Sequence, residues 1–275
     1  MYKKFQKTLV SVLFLIIALN ANAKIIATDD ISTISSYIDK NTLVLLDIDN
    51  TIIELAQTLG TPEWCADFYA KKRKLGMPED EAIKITSEIF TRVNERSDAK
   101  PVDLRTSKII QELQKQGIIV LGLTARAHVL SEATARQLKS SNVNFNVGKF
   151  KNKETNTLNG QRTQFKNGII FAAGHNKGDC LKAFLSVTQW TPKKIVFVDD
   201  RLKHVKEVEK AIFKDNIAYT GIHYTLLNKK MKDMNPKVYE IQLEHLNKTN
   251  KILSDKDAIA LLEPVSNLDN LDIGH

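Results

Sequence analysis

Cysteine, zinc-ligand spacings, long apolar runs and interleaved aromatics are all scarce in this sequence, and each scarcity removes a class of protein. Two cysteines, Cys65 and Cys180, in 275 residues exclude a disulfide scaffold, leaving one bridge in an oxidising compartment or two free thiols. The six histidines form no His-Glu-x-x-His or paired Cys/His spacing, so no zinc signature is present. The apolar run at residues 9–19 spans eleven positions, well short of the roughly 20 that a membrane-spanning helix requires. Aromatic residues make up 7% of the chain and do not interleave with its basic runs, which argues against nucleic-acid binding. No internal repeat is found.

With 43% apolar and 26% charged residues, the chain has an ordinary globular composition and can bury one sizeable core, with or without a subdomain. Lys3, Lys4 and Lys7 precede the apolar run, and Asn20-Ala21-Asn22-Ala23 follows it. That pattern reads as a secretory signal peptide over residues 1–23, cleaved after Ala23. An exported protein, periplasmic or secreted from a bacterium, is expected, with no stable membrane span after cleavage. Removing three lysines and no acids lowers the formal charge from +8 to +5. The surplus sits in runs such as Lys71-Lys72-Arg73-Lys74 and Lys229-Lys230-Lys232. These read as solvated faces, yet the charge suits an anionic substrate or surface.

From residue 24 to 275 short apolar runs alternate with helical patterns, which predicts an α/β fold with a doubly wound, mainly parallel sheet. Strands are expected at residues 43–47, 118–123, 144–147, 195–198 and 217–221. Between the first two, Thr61-Pro62-Glu63 and Pro78-Glu79-Asp80-Glu81 open helices, and Asp103 opens another that ends at Gly117. The first two exceed what a crossover needs and read as a small, mostly helical cap insertion at about 55–100. Residues 149–168 suggest a hairpin or loop. A C-terminal helical extension is expected at about 229–265, with helices at 236–247 and 255–262.

Four polar clusters fall at strand or helix ends: Asp47-Ile48-Asp49-Asn50-Thr51, Thr124-Ala125-Arg126, Asn176-Lys177-Gly178 and Asp199-Asp200. In an open parallel sheet the carboxyl ends of the strands share one edge, where ligands bind. Several carboxylates gathered there require a cation, most simply Mg²⁺ with oxygen ligands. Such a site attracts phosphate, which the Thr124 hydroxyl, main-chain N–H groups and the Lys177 ammonium would hold. Asp47 can then serve as nucleophile and Asp49 as proton donor and acceptor. Asn50, Thr51, Ala125 and Arg126 flank these groups as candidate substrate contacts, Arg126 through its planar fork of donors.

These motifs, spread over residues 43–221, resemble those of haloacid-dehalogenase-superfamily phosphatases, which carry D-x-D-x-[TV], then a Thr or Ser, then a Lys, then an acidic pair. The resemblance implies Asp47 as nucleophile, Asp49 as acid/base, and Mg²⁺ held by the Asp47 carboxylate, the Asp49 main-chain carbonyl and one acid of the last pair. Asp200 is the favoured ligand by its place after the strand, with Asp199 a second ligand or a support behind it. An aspartate at the second motif position implies cleavage of a C–O–P ester. The expected substrate is a phosphorylated small molecule or a phosphoprotein. Two other readings use the same residues: a receiver-like phospho-acceptor, disfavoured because Lys177 precedes the Asp199 strand, and a binding module without turnover. Trp64, Phe68 and Tyr69 are candidates for a pocket floor, or for helix packing.

Overall fold

The computed structural model describes residues 23–151 and 163–262; the expected signal segment up to residue 22 lies outside them. The strands in chain order are β1 (Lys24–Thr28), β2 (Thr42–Leu46), β3 (Ile53–Leu55), β4 (Ala99–Pro101), β5 (Ile119–Thr124), β6 (Gln164–Lys166), β7 (Ile169–Phe171), β8 (Lys194–Asp199) and β9 (Ala218–Tyr224). The α-helices are α1 (Pro62–Lys74), α2 (Glu79–Asn94), α3 (Thr106–Lys115), α4 (Ser131–Ser140), α5 (Lys177–Thr188), α6 (Leu202–Ile212), α7 (Asn228–Lys232), α8 (Pro236–Thr249) and α9 (Asp255–Ala260). Seven strands form one sheet in the order β1-β9-β8-β2-β5-β7-β6. All its pairings are parallel except β6 with β7.

Strand β2 occupies the middle of the sheet, and its sequence explains why. Leu43 and Leu45 point into one core layer with Leu181 and Phe184 of α5 and Val205 and Val208 of α6. Val44 and Leu46 point into the opposite layer with Ile110 of α3 and Leu138 of α4. A period of two with apolar residues on both faces is what a strand covered by helices on either side demands. These four residues are at most 1% exposed, and at about 1.5–3 kcal/mol for each fully buried aliphatic side chain they anchor the sheet.

The segment at 144–147, read from sequence as a strand, is irregular. Asn144 Oδ1 accepts the Asn146 N–H at 2.9 Å, and the Val147 N–H bonds Phe145 O at 2.8 Å. Such local bonds divert the main chain from a ladder. The place beside β5 is taken instead by β7. β6 and β7 form a hairpin closed by Asn167 and Gly168, both with positive φ, the backbone signature of a tight two-residue turn. A Cβ on Gly168 would lie 2.1 Å from Phe145 O, so the turn also needs glycine for want of space. Residues 152–162, the rest of the expected hairpin or loop, lie outside the described residues.

Helices α1 and α2 stand between β3 and β4, two short strands paired antiparallel apart from the main sheet. Thr61 caps α1 by accepting the Trp64 N–H at 3.2 Å, with Pro62 beginning the helix. Trp64, Phe68 and Val93 of this pair pack with Tyr239 and Leu246 of α8 in a third apolar cluster. Gln242 of α8, fully buried, accepts the Leu59 N–H at 2.9 Å and donates to Asp255 at 2.8 Å. The C-terminal helices therefore clamp the root of the helical insertion. Among the described residues no helix is long and apolar enough to cross a membrane.

Candidate active site

The chain turns sharply where β2 ends. Asn50 adopts φ 60°, a left-handed conformation that asparagine tolerates better than most residues. The turn is closed by Asn50 N–H to Ile53 O at 2.8 Å and Ile52 N–H to Ile48 O at 3.0 Å. It leaves Asp47 at the sheet edge and Asp49 one step further out. Asn50 Nδ2 reaches Glu63 on α1 at 3.0 Å and Asp200 at 3.5 Å, while Thr51 Oγ1 accepts the Asp200 N–H at 3.1 Å. Asn50 and Thr51 thus hold the neighbouring acid and the insertion in register with the turn.

Lys177, first residue of α5, extends a fully buried side chain between the ends of β2 and β8. Its Nζ lies 2.5 Å from Asp47 Oδ1 and 2.7 Å from Asp199 Oδ2. Gly178 follows because α5 packs hard on α6: a Cβ there would sit 2.3 Å from Glu207 O. Asp199 is committed on both oxygens, since Oδ1 accepts the Arg201 N–H at 2.8 Å. Asp47, Asp199 and Asp200 each bring a carboxylate oxygen into a group spanning no more than 4.8 Å.

Electrostatics follow from that crowding. Two carboxylates no more than 4.8 Å apart repel by at least about 3.5 kcal/mol at an effective dielectric constant of about 20. Burial first, and then the neighbouring acids, push Asp200 up to about 8. Asp47 is pushed up to about 7, chiefly by burial, with the Lys177 ammonium opposing the rise. Asp199 is raised by burial and restrained by Lys177, and Lys177 is itself raised because its two carboxylate partners outweigh its burial. One ammonium facing three carboxylates leaves two negative charges in excess when all are ionised. Hard oxygen donors with that surplus are compatible with a metal-ion site.

The other sequence candidates take distinct places. Arg126 is enclosed, its side chain 0% exposed. It grips Asp49 through Nε at 2.8 Å and Nη2 at 2.7 Å, and also bonds Thr134, Gln137 and Asn94. Thr124 is buried, its Oγ1 accepting the Arg126 N–H at 3.2 Å. Ala125 is exposed in the same loop, which is stitched to the β7–α5 connection by Ala172 N–H to Thr124 O, Ala173 N–H to Arg126 O and Gly174 N–H to Ala125 O. Ala173 holds φ 50° there, a strained conformation for alanine of the kind that concentrates at functional loops. Trp64 and Phe68 belong to the apolar cluster under α8, whereas Tyr69 lines the cavity above Asp47. Cys65 and Cys180 are both free. Asn94 and Gln137, which complete the Arg126 network, carry no sequence signal beyond being polar residues within helical patterns.

A cavity of about 490 Å³ lies over Asp47, Asp49, Lys177 and Asp200, beneath α1 and α2. Comparison with known proteins gives a family and several relatives. A Chlamydia pneumoniae protein named as a candidate outer membrane protein is 27% identical over 233 residues, covering 82% of this chain and 84% of that one. A Chlamydia trachomatis protein with the same kind of name is 26% identical over 208 residues, covering 74% and 78%. A Rickettsia prowazekii protein is 27% identical over 274 residues, covering 94% and 99%. A solved haloacid-dehalogenase-like hydrolase from Streptococcus pneumoniae aligns over 72% of this chain and all of its own, with 12% identity and a TM-score of 0.42. A family model described as "Protein of unknown function (DUF2608)" matches residues 27–259, and the chain belongs to that family.

Proposed function

We propose that this chain is an exported phosphomonoesterase of the haloacid-dehalogenase type, acting through an aspartyl-phosphate on Asp47. The observation that carries the reading is the buried Asp47–Lys177–Asp199 chain beside Asp200, open to a cavity at the carboxyl edge of a parallel sheet. The relatives' names and the N-terminal Lys-rich, apolar, small-residue pattern support a destination outside the cytoplasm.

Asp47 would attack phosphorus, forming an Asp47–O–P bond as the ester P–O bond breaks. Asp49, at the cavity wall and held by Arg126, would protonate the departing oxygen and later take a proton from the water that splits the intermediate. Lys177 keeps Asp47 in place and offsets charge around the phosphoryl oxygens. Asp47 and Asp200, with the Asp49 main-chain carbonyl, would hold the metal, whereas Asp199 orients Lys177 from behind. Bound Mg²⁺ would supply charge neutralisation for the acids and the phosphoryl group. Ala125 and Gly174, on the loops beside the cavity, would frame the phosphate from the main chain.

The test uses residues 24–275 with a generic aryl phosphate and Mg²⁺. Wild-type protein should release phosphate, and Asp47→Asn, nearly isosteric and so folded, should not. Equal turnover by the Asn variant removes Asp47 from the mechanism.

A further inference from the structure

The walls of the cavity carry more information than its floor. Helix α1 contributes Cys65, Ala66 and Tyr69, and α2 contributes Ile83, Thr86, Ser87, Phe90 and Thr91. Those spacings of three and four put each set on one helix face. The two helices also carry Glu63, Asp67, Lys71, Lys72, Arg73, Lys74, Glu79, Asp80, Glu81, Lys84, Glu88 and Arg92, and none of these charged side chains lines the cavity. Ile83 remains 50% exposed although it faces that space, an apolar side chain kept open on a surface where charge is otherwise plentiful.

The cations near the floor are engaged. Arg126 is bound to Asp49, Thr134, Gln137 and Asn94, and Lys177 lies between Asp47 and Asp199. At the rim, Arg201 pairs with Glu63 at 3.6 Å and His204 with Glu207 at 2.9 Å. A second anionic group on a substrate would therefore meet aromatic, aliphatic and neutral hydroxyl side chains above the phosphate position, with no cation from the two helices to offset its desolvation. A cavity of about 490 Å³ accommodates a phosphate and a medium-sized organic group.

Resting on the phosphatase reading above, we infer that the ester this site takes carries an uncharged, largely apolar alcohol of aryl-alkyl kind, with Tyr69, Ile83 and Phe90 receiving it. Sugar phosphates, nucleotides and phosphoserine offer the wrong chemistry to these walls. Burying an aromatic ring instead of hydroxyls or a carboxylate should favour the matched ester by about 10–100-fold in kcat/KM.

The experiment compares phenethyl phosphate, glycerol phosphate, a hexose phosphate esterified at its primary hydroxyl, and phosphoserine. All are esters of primary alcohols, so leaving-group reactivity is closely matched. Wild-type residues 24–275 with Mg²⁺ should prefer phenethyl phosphate by at least about tenfold. Ser87→Lys and Ile83→Asp, both at exposed wall positions, should raise KM for phenethyl phosphate while kcat changes little, and Ser87→Lys should narrow the gap to phosphoserine. Hexose phosphate or phosphoserine cleaved as well as phenethyl phosphate overturns the inference. Binding of the uncleavable analogue phenethylphosphonate, measured with Mg²⁺ by calorimetry, separates the two claims. Binding without turnover of any ester defeats the phosphatase reading and supports the apolar-substrate site; no binding in the presence of Mg²⁺ defeats that site.

Discussion

The perturbation that probes the acidic cluster most quantitatively is addition of Mg²⁺ across a range of pH. In the metal-free protein Asp47 is held near about 7 and Asp200 near about 8 by burial and mutual repulsion. A metal ligand must be deprotonated, so binding has to expel whatever protons these groups carry. Near pH 6 both are mostly protonated, and near pH 8 Asp47 is free and Asp200 half so, which makes the apparent affinity climb on the order of 10²–10³-fold over that interval. In free energy the gain is about 3–4 kcal/mol. The stability of the metal-free protein moves the other way. Because the folded state keeps protons that an unfolded aspartate releases near about pH 4, the contribution of these two groups is fullest below that value. It is lost as the pH rises through about 7 and then about 8, where Asp47 and Asp200 titrate in turn. Calorimetric titration in two buffers of different ionisation enthalpy reads the protons released, and thermal melts with and without Mg²⁺ read the stability. Affinity that is flat or falling between those pH values, or binding with no proton release, refutes the reasoning.

Three further outcomes follow from named contacts. Arg126→Met strips Asp49 of its bidentate partner and should cost about 3–5 kcal/mol of stability by chemical denaturation; kcat should fall with KM nearly unchanged, since Arg126 is spent on protein groups. Gly178→Ala drives a Cβ into Glu207 O, so it should destabilise by about 1–3 kcal/mol in urea melts and lower turnover by shifting Lys177. Gln242→Ala leaves the buried Leu59 N–H without its acceptor. It should cost about 1–3 kcal/mol, read as a lower urea midpoint with unchanged slope.

How far the fold is legible in sequence depends on the length of each signal. β2, β5 and β8 are runs of at least five residues rich in Val, Ile and Leu, and their apolar character marks a doubly covered sheet. Helices α1 and α2 declare themselves through Thr61-Pro62 and Pro78 followed by three acids. β6 and β7 have three residues each, too short for periodicity, and 144–147 matched a strand pattern better than β7 did because the local Asn144 bond is invisible to alternation. At the site, the placement of Asp47, Lys177 and Asp199 follows from topology, because motifs at strand ends converge wherever the strands are parallel neighbours. The attachment of Arg126 to Asp49 depends on Asn94 and Gln137 closing around the guanidinium from two helices, which no local pattern encodes. The apolar cavity wall was hidden for a similar reason: Tyr69 turns inward while Trp64 and Phe68, on the same helix, turn toward α8.

The central claim is that Asp47 carries a covalent phosphoryl group during turnover. It is tested most directly by mixing Asp49→Asn protein with Mg²⁺ and 4-nitrophenyl phosphate, whose phenolate departs without a proton from Asp49, quenching in acid, and locating any added phosphoryl group by peptide mass spectrometry. Because the variant lacks the base that activates water, the label should accumulate on the peptide containing Asp47, and Asp47→Asn protein should carry none. A label on another residue, or turnover by wild-type protein with no acyl-phosphate formed in either variant, contradicts the account.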